Sequence, residues 1–174
     1  DDLAREKNRK EKLLQNVDSL ILGSINRNIS HLMSEIKLLD MKIDSKIDSV
    51  DIMQDKWAIL TSIKGISNVT ASVILAELPE LGKLGNTQIS SLVGLAPTNR
   101  DSGKMQGERH IQGGRMSVRC ALYMAIITSV RREEKIRDFY LHLKSKGKKP
   151  KVALVACMRK LIIILNARIR DYYQ

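Results

Sequence analysis

The sequence predicts an all-α protein: a long N-terminal coiled-coil helix or helical hairpin over residues 1–55, then a compact helical domain over 56–174 containing a helix-hairpin-helix. Three observations predict it. Apolar residues recur at steps of three or four along the 174-residue chain, the spacing of one helix face. Only three prolines occur, and none precedes Pro79. No stretch reads as a convincing strand.

The first element is the clearest. Val17, Ile21, Ile25, Ile29, Leu32, Ile36, Leu39, Ile43, Ile47 and Val50 form an apolar stripe on one helix. A continuous helix over 3–55 would run about 80 Å at ~1.5 Å per residue. So long a stripe needs a partner, either the same chain folded back or a second chain in a coiled coil. "LGSINRN" at 22–28 holds the only glycine of this region and is the expected break or bend. The chain opens "DDLAREK", without methionine and already helical in pattern, as a fragment would.

Residues 57–78 read as two short helices around the turn Lys64–Gly65–Ile66–Ser67, with Pro79 ending the second. A short helix is expected over 86–93. "SVRCALYMAIITSVRR" at 117–132 is apolar almost all round, which predicts a buried helix. A more polar helix continues to 147. After the basic turn "KGKKPK", a largely buried helix covers 151–173.

The chain carries a formal charge of +11, and the excess is unevenly placed. Residues 1–99 sum to −1 and residues 100–174 to +12. A polyanion partner is therefore expected on the C-terminal half. Aromatic residues make up only 3%, so the core must be aliphatic. Cys120 and Cys157 sit inside apolar runs and read as small buried hydrophobes. Three histidines and two cysteines at scattered spacings offer no zinc pattern. "LIIIL" at 161–165 is too short to cross a bilayer.

Two stretches carry the candidate chemistry. "ILTSIKGISNVTASVIL" has helix-hairpin-helix spacing: Ile63, Gly65 at the turn, Ile66, then small Ala71. In that motif, turn N–H groups and the following helix N-terminus face a nucleic-acid phosphate. Lys64, Gly65, Ser67 and Asn68 are the expected contacts, with Ser67 capping the second helix. Ser67 stands where a second glycine is usual. An ordinary helical hairpin fits the same spacing.

The second stretch is "GLAPTNRDSGKMQGERHIQGGRMSVR", from Gly94 to Arg119. It is rich in glycine, which brings backbone N–H groups close to an anion. Arg100, Lys104, Arg109, Arg115 and Arg119 supply cations whose forks match phosphate oxygens. Ser102, between Asp101 and Gly103, is either a turn former or a nucleophile. His110, Asp101 and the arginines are the candidate helpers.

"LTSIKGISNVTASVILAEL", "LVGLAPTNRDSGKMQGERHIQGGRMSVRCALYMA" and "FYLHLKSKGKKPKVALVACMRKLIIILNARIRD" together resemble the C-terminal transposase domain of the insertion-sequence 110/116/902 family, to which pilin-gene DNA invertases are related. The resemblance covers about residues 57–172, including a Pro-x-x-x-x-Ser-Gly pattern at Pro97, Ser102 and Gly103. It implies a DNA recombinase in which Ser102 attacks the scissile phosphodiester and becomes covalently linked to DNA. It also implies a RuvC-like N-terminal domain whose four carboxylates hold Mg, a structured bridge RNA as guide, and dimers or tetramers built through the helical connector. The expected location is the bacterial or archaeal cytoplasm, with no membrane. Without the RuvC-like domain, the present residues are expected to bind nucleic acid but not to cleave it. A non-catalytic nucleic-acid-binding and dimerisation module is the competing reading.

Overall fold

Two helices, α1 (Asp2–Leu13) and α2 (Ser19–Asp48), make the first unit of the computed structural model, which describes residues 1–13, 19–98 and 110–174. The chain divides into Asp1–Val50 and Asp51–Gln174. In the first unit α1 packs on α2, and Glu6 and Arg9 share a cavity with residues between Leu20 and His31. The helix therefore does not run uninterrupted over 3–55, and the chain pairs with itself here. The expected break at 22–28 is also corrected, because Gly23 lies inside α2. A lone glycine costs a helix only about 1 kcal/mol relative to alanine, which a 30-residue helix absorbs. Of the apolar stripe, Ile25 and Ile47 are buried, whereas Ile21, Ile36, Leu39 and Ile43 are exposed.

Among its described residues the second unit holds six helices: α3 (Asp51–Thr61), α4 (Asn68–Glu77), α5 (Asn86–Leu92), α6 (Met116–Arg132), α7 (Glu134–Ser145) and α8 (Pro150–Tyr173). Their ends follow local chemistry. The Ser67 hydroxyl caps α4 by accepting from the Thr70 N–H at 3.3 Å. Pro150 opens α8, where its missing N–H costs nothing. Glu134 in the first turn of α7, and His142 and Lys144 in the last, match the helix dipole.

Helix α8 is the hub and packs against α3, α5, α6 and α7. Ala153, Cys157, Met158, Leu161, Ile162, Leu165 and Ile169 give it one broad buried face. Full burial of a Leu or Ile there contributes roughly 1.5–3 kcal/mol. Helix α6 buries Val118, Leu122, Ala125, Ile126 and Ser129. Although its sequence is apolar almost all round, only one face is buried, and Tyr123 and Met124 are exposed. Cys120 is exposed as well, against expectation, while Cys157 is fully buried. The reason is angular: Cys120 sits two residues from both Val118 and Leu122, about 200° round a helix of 3.6 residues per turn.

The expectation of no strand is corrected in one place. Pro97–Thr98 (β1) and His110–Ile111 (β2) form a short antiparallel pair, Pro97 opposite Ile111 and Thr98 opposite His110. Two residues on each side are too few to show the alternation by which a strand is read from sequence. No described helix is long and apolar enough to cross a membrane.

Candidate nucleic-acid interface

Helices α3 and α4 contact each other across the turn at residues 62–67. Lys64 and Asn68 are exposed on the α3–α4 turn, and Ile63, Ile66 and Ala71 are buried beneath it. Gly65 has a specific task. Its φ of +108° lies in the region that disfavours side chains, and an added Cβ would fall 2.7 Å from the Ser129 N and 2.9 Å from its Cα. The glycine thus lets the turn seat directly on the backbone of α6.

The second candidate stretch is held by a neck. Residues 99–109 lie between the paired positions Thr98 and His110, and the Thr98 hydroxyl donates to the His110 carbonyl at 2.7 Å. Just outside the pair, Gly94 (φ +73°) meets Gly113 and Gly114 (φ +69°) backbone to backbone. A Cβ on Gly114 would lie 2.6 Å from the Gly94 Cα, so any side chain would force the neck apart. The Arg115 N–H donates to the Leu92 carbonyl at 3.0 Å, tying the start of α6 to the end of α5.

Two of the expected phosphate contacts work in this neck. Arg115 grips Glu80 with both guanidinium nitrogens, at 2.5 and 2.6 Å, and also donates to the Glu77 carbonyl at 2.7 Å. The guanidinium holds the Glu80 carboxyl well below the usual range, at about 2. Arg119 donates to the carbonyls of Val93 and Gly113, bridging the two sides of the neck. Both guanidiniums are thus engaged within the protein. Glu80, 35 residues from Arg115 in sequence, is the partner that sequence reasoning missed; a lone glutamate after Pro79 gives no signal of it.

Ser102, Arg100, Lys104 and Arg109, with the helper Asp101, lie outside the described residues; the remaining helper, His110, is exposed at the neck. Among the described residues, the turn and the two neck arginines are not brought together. The turn contacts Ser129, whereas Arg115 and Arg119 stand ten to fourteen residues earlier on α6. That separation is about 15–21 Å along the helix axis. Among the described residues no three His, Cys, Asp or Glu side chains gather into a set that would hold a metal ion, so no step is assigned to a metal on them.

The architecture is a helical domain whose basic, glycine-rich segment is carried on a fixed neck. Residues 57–141 match the transposase IS116/IS110/IS902 family. Over nearly its whole length the chain is similar to the pilin gene-inverting proteins of Moraxella bovis and Moraxella lacunata. Each is 30% identical over 173 residues, covering 97% of this chain and 52% of the relative. It is also similar to the insertion element IS116 uncharacterized 44.8 kDa protein of Streptomyces clavuligerus, 29% identical over 148 residues, covering 82% of this chain and 37% of that one. Residues 57–141 are thus similar to the transposase domain of that family. The chain spans about half the length of the pilin gene-inverting relatives.

Proposed function

We propose that this chain is the serine-bearing part of a DNA transposase or recombinase, with Ser102 as its nucleophile. The Ser102 oxygen attacks the phosphorus of the scissile phosphodiester. A phosphoserine bond forms, the bond to the leaving deoxyribose oxygen breaks, and the serine proton is passed on to a base or to the leaving oxygen. The observation that carries the reading is the neck. Paired strands, a glycine-to-glycine contact and the Arg119 bridge hold together the two ends of the segment containing Ser102. A nucleophile on a loop is effective only if rigid structure fixes where the loop leaves and returns. The start of α6 adds the positive end of a 17-residue helix beside the neck, with no side-chain cap on its first turn.

The remaining parts follow the family. Cleavage would draw on a RuvC-like domain whose carboxylates would hold Mg, and that cation would offset charge on the transferring phosphoryl group. A structured bridge RNA selects the DNA, and the exposed apolar stripe of α2 supports assembly into a dimer or tetramer. Lys64 and Asn68 on the α3–α4 turn, with Arg100, Lys104 and Arg109 on the loop, supply phosphate contacts. The work is done in the cytoplasm, on chromosomal or plasmid DNA.

The test is Ser102→Ala in the longer protein, with labelled DNA run on a denaturing gel. Loss of the covalent protein–DNA adduct with binding retained is the expected result. An undiminished adduct refutes the nucleophile and favours a non-catalytic nucleic-acid-binding module.

A further inference from the structure

Away from the neck and the α3–α4 turn, a cavity of about 370 Å³ opens between the start of α3, the α4–α5 connection and the end of α8. That volume lies within the range of small-ligand sites, roughly 300–1,000 Å³. Its floor is apolar, formed by the buried Leu81 and Ile169, and the exposed Ile52 with Lys56, Lys83 and Tyr173 stand around it.

Its lining carries Lys56, Lys83 and Arg170 and no Asp or Glu side chain, although Asp55 acts electrostatically on Tyr173. The carboxylate nearest Lys83 on its own turn, Glu80, is taken up by Arg115. Asp171 is taken up by Arg170, its neighbour at the rim. Among the described residues neither Lys56 nor Lys83 has an ion-pair partner. Each repels the other, and partial burial together with Lys83 pushes the Lys56 ammonium below its usual range. Two like charges side by side, one of them partly buried, are what a bound anion would relieve.

The walls are held in place. Asn166 is fully buried and clamps the connection from both sides, accepting from the Gly82 N–H at 2.8 Å and donating to the Leu84 carbonyl at 2.7 Å. Lys83 is therefore presented from a fixed turn. The Tyr173 hydroxyl donates to the Ile52 carbonyl at 3.2 Å, and its ring packs edge-on to Tyr172 at 5.1 Å. Both tyrosines remain about half exposed. The Lys56 ammonium lies 6.0 Å from the Tyr173 ring centre.

We infer that this cavity holds one nucleotide of an unpaired nucleic-acid strand, its phosphate between Lys56 and Lys83 and its base against Tyr173 and the apolar floor. Cations beside an exposed aromatic ring are the combination by which single strands are bound without sequence preference. The inference extends the nucleic-acid reading above and rests on it, but it does not involve Ser102.

The test uses the present chain carrying Ser102→Ala and a short oligothymidylate containing 5-iododeoxyuridine. Binding is measured by fluorescence anisotropy across a salt series, and photocross-links are mapped by mass spectrometry. Lys56→Gln with Lys83→Gln should reduce the slope of log K against log salt by roughly 0.7, the value for one phosphate contact on a single strand. Cross-links should fall on Tyr172 or Tyr173. Lys83→Gln alone, at an exposed position, should remove about half of that slope change without altering the thermal midpoint. Binding by the parent chain with an unchanged slope in the variants and no tyrosine cross-link overturns the cavity but leaves the nucleic-acid reading standing. A parent chain that binds no oligonucleotide at low salt overturns both.

Discussion

Replacing Gly65 by alanine tests whether this turn is shaped by packing or kept open for nucleic acid. The new Cβ would sit 2.7 Å from the backbone N of Ser129 and 2.9 Å from its Cα, on a residue with φ +108°. Backbone in mid-helix cannot rotate away as a side chain can. Overpacking of this kind costs about 1–3 kcal/mol, and holding a non-glycine residue at positive φ adds roughly 1–2 kcal/mol. The smaller conformational freedom of the unfolded alanine chain offsets about 0.4–1 kcal/mol. The net expectation is a loss of about 2–4 kcal/mol.

Gly147 is the control. It also has positive φ, +76°, but an added Cβ there meets nothing within 4 Å. Gly147→Ala should cost only about 0.5–1 kcal/mol, leaving the conformational part alone. The assay is urea unfolding followed by fluorescence. The only tryptophan, Trp57, lies on α3 and packs against the core of the second unit, so the signal reports that unit. With a slope of ~1–3 kcal/mol per molar urea, the midpoint of Gly65→Ala should fall about 1 M or more below the parent. Two variants that unfold within experimental error of each other would refute the packing account. If Gly65→Ala then weakened oligonucleotide binding with unchanged stability, the glycine would be serving the ligand instead.

Two further outcomes are expected. The Glu80 carboxyl is depressed in the folded chain, so its stabilising contribution is present above about pH 4.5 and is lost as pH falls toward 2; the thermal midpoint of Glu80→Gln should therefore show a shallower acid-side decline than the parent, and parallel profiles from pH 5 to 2 would rule out the clamp as its source. Asn166→Leu leaves the Gly82 N–H and the Leu84 carbonyl without their buried partner, at about 1–3 kcal/mol for each group, and chemical denaturation should register the loss; a variant as stable as the parent would mean water replaces the side chain.

Much of this protein was legible in its sequence because the signals are local. The period of α8 follows from its own apolar residues, the start of α4 from Ser67, and the end of α4 from Pro79. The basic bias of the C-terminal half and the candidate loop need only counting and a run of glycines. The errors arose where neighbouring residues compete on equal terms. Gly23 resembles a break, yet α2 carries it because the helix on either side outweighs one poor residue. Cys120 shares an apolar run with Leu122, and only the packing of α6 decides which of the two faces inward.

What the tertiary structure alone decided joins residues far apart in the chain. The seat of Gly65 on Ser129, the grip of Arg115 on Glu80 and the clamp of Asn166 on the α4–α5 connection span 35 residues or more. No periodicity or propensity encodes such pairs, because each depends on two backbones arriving within a few ångströms of each other. The sequence by itself thus determined the helices, the charge asymmetry and the family resemblance. Only folding determined that two expected phosphate-binding arginines brace the neck, and that two lysines from different elements line one cavity.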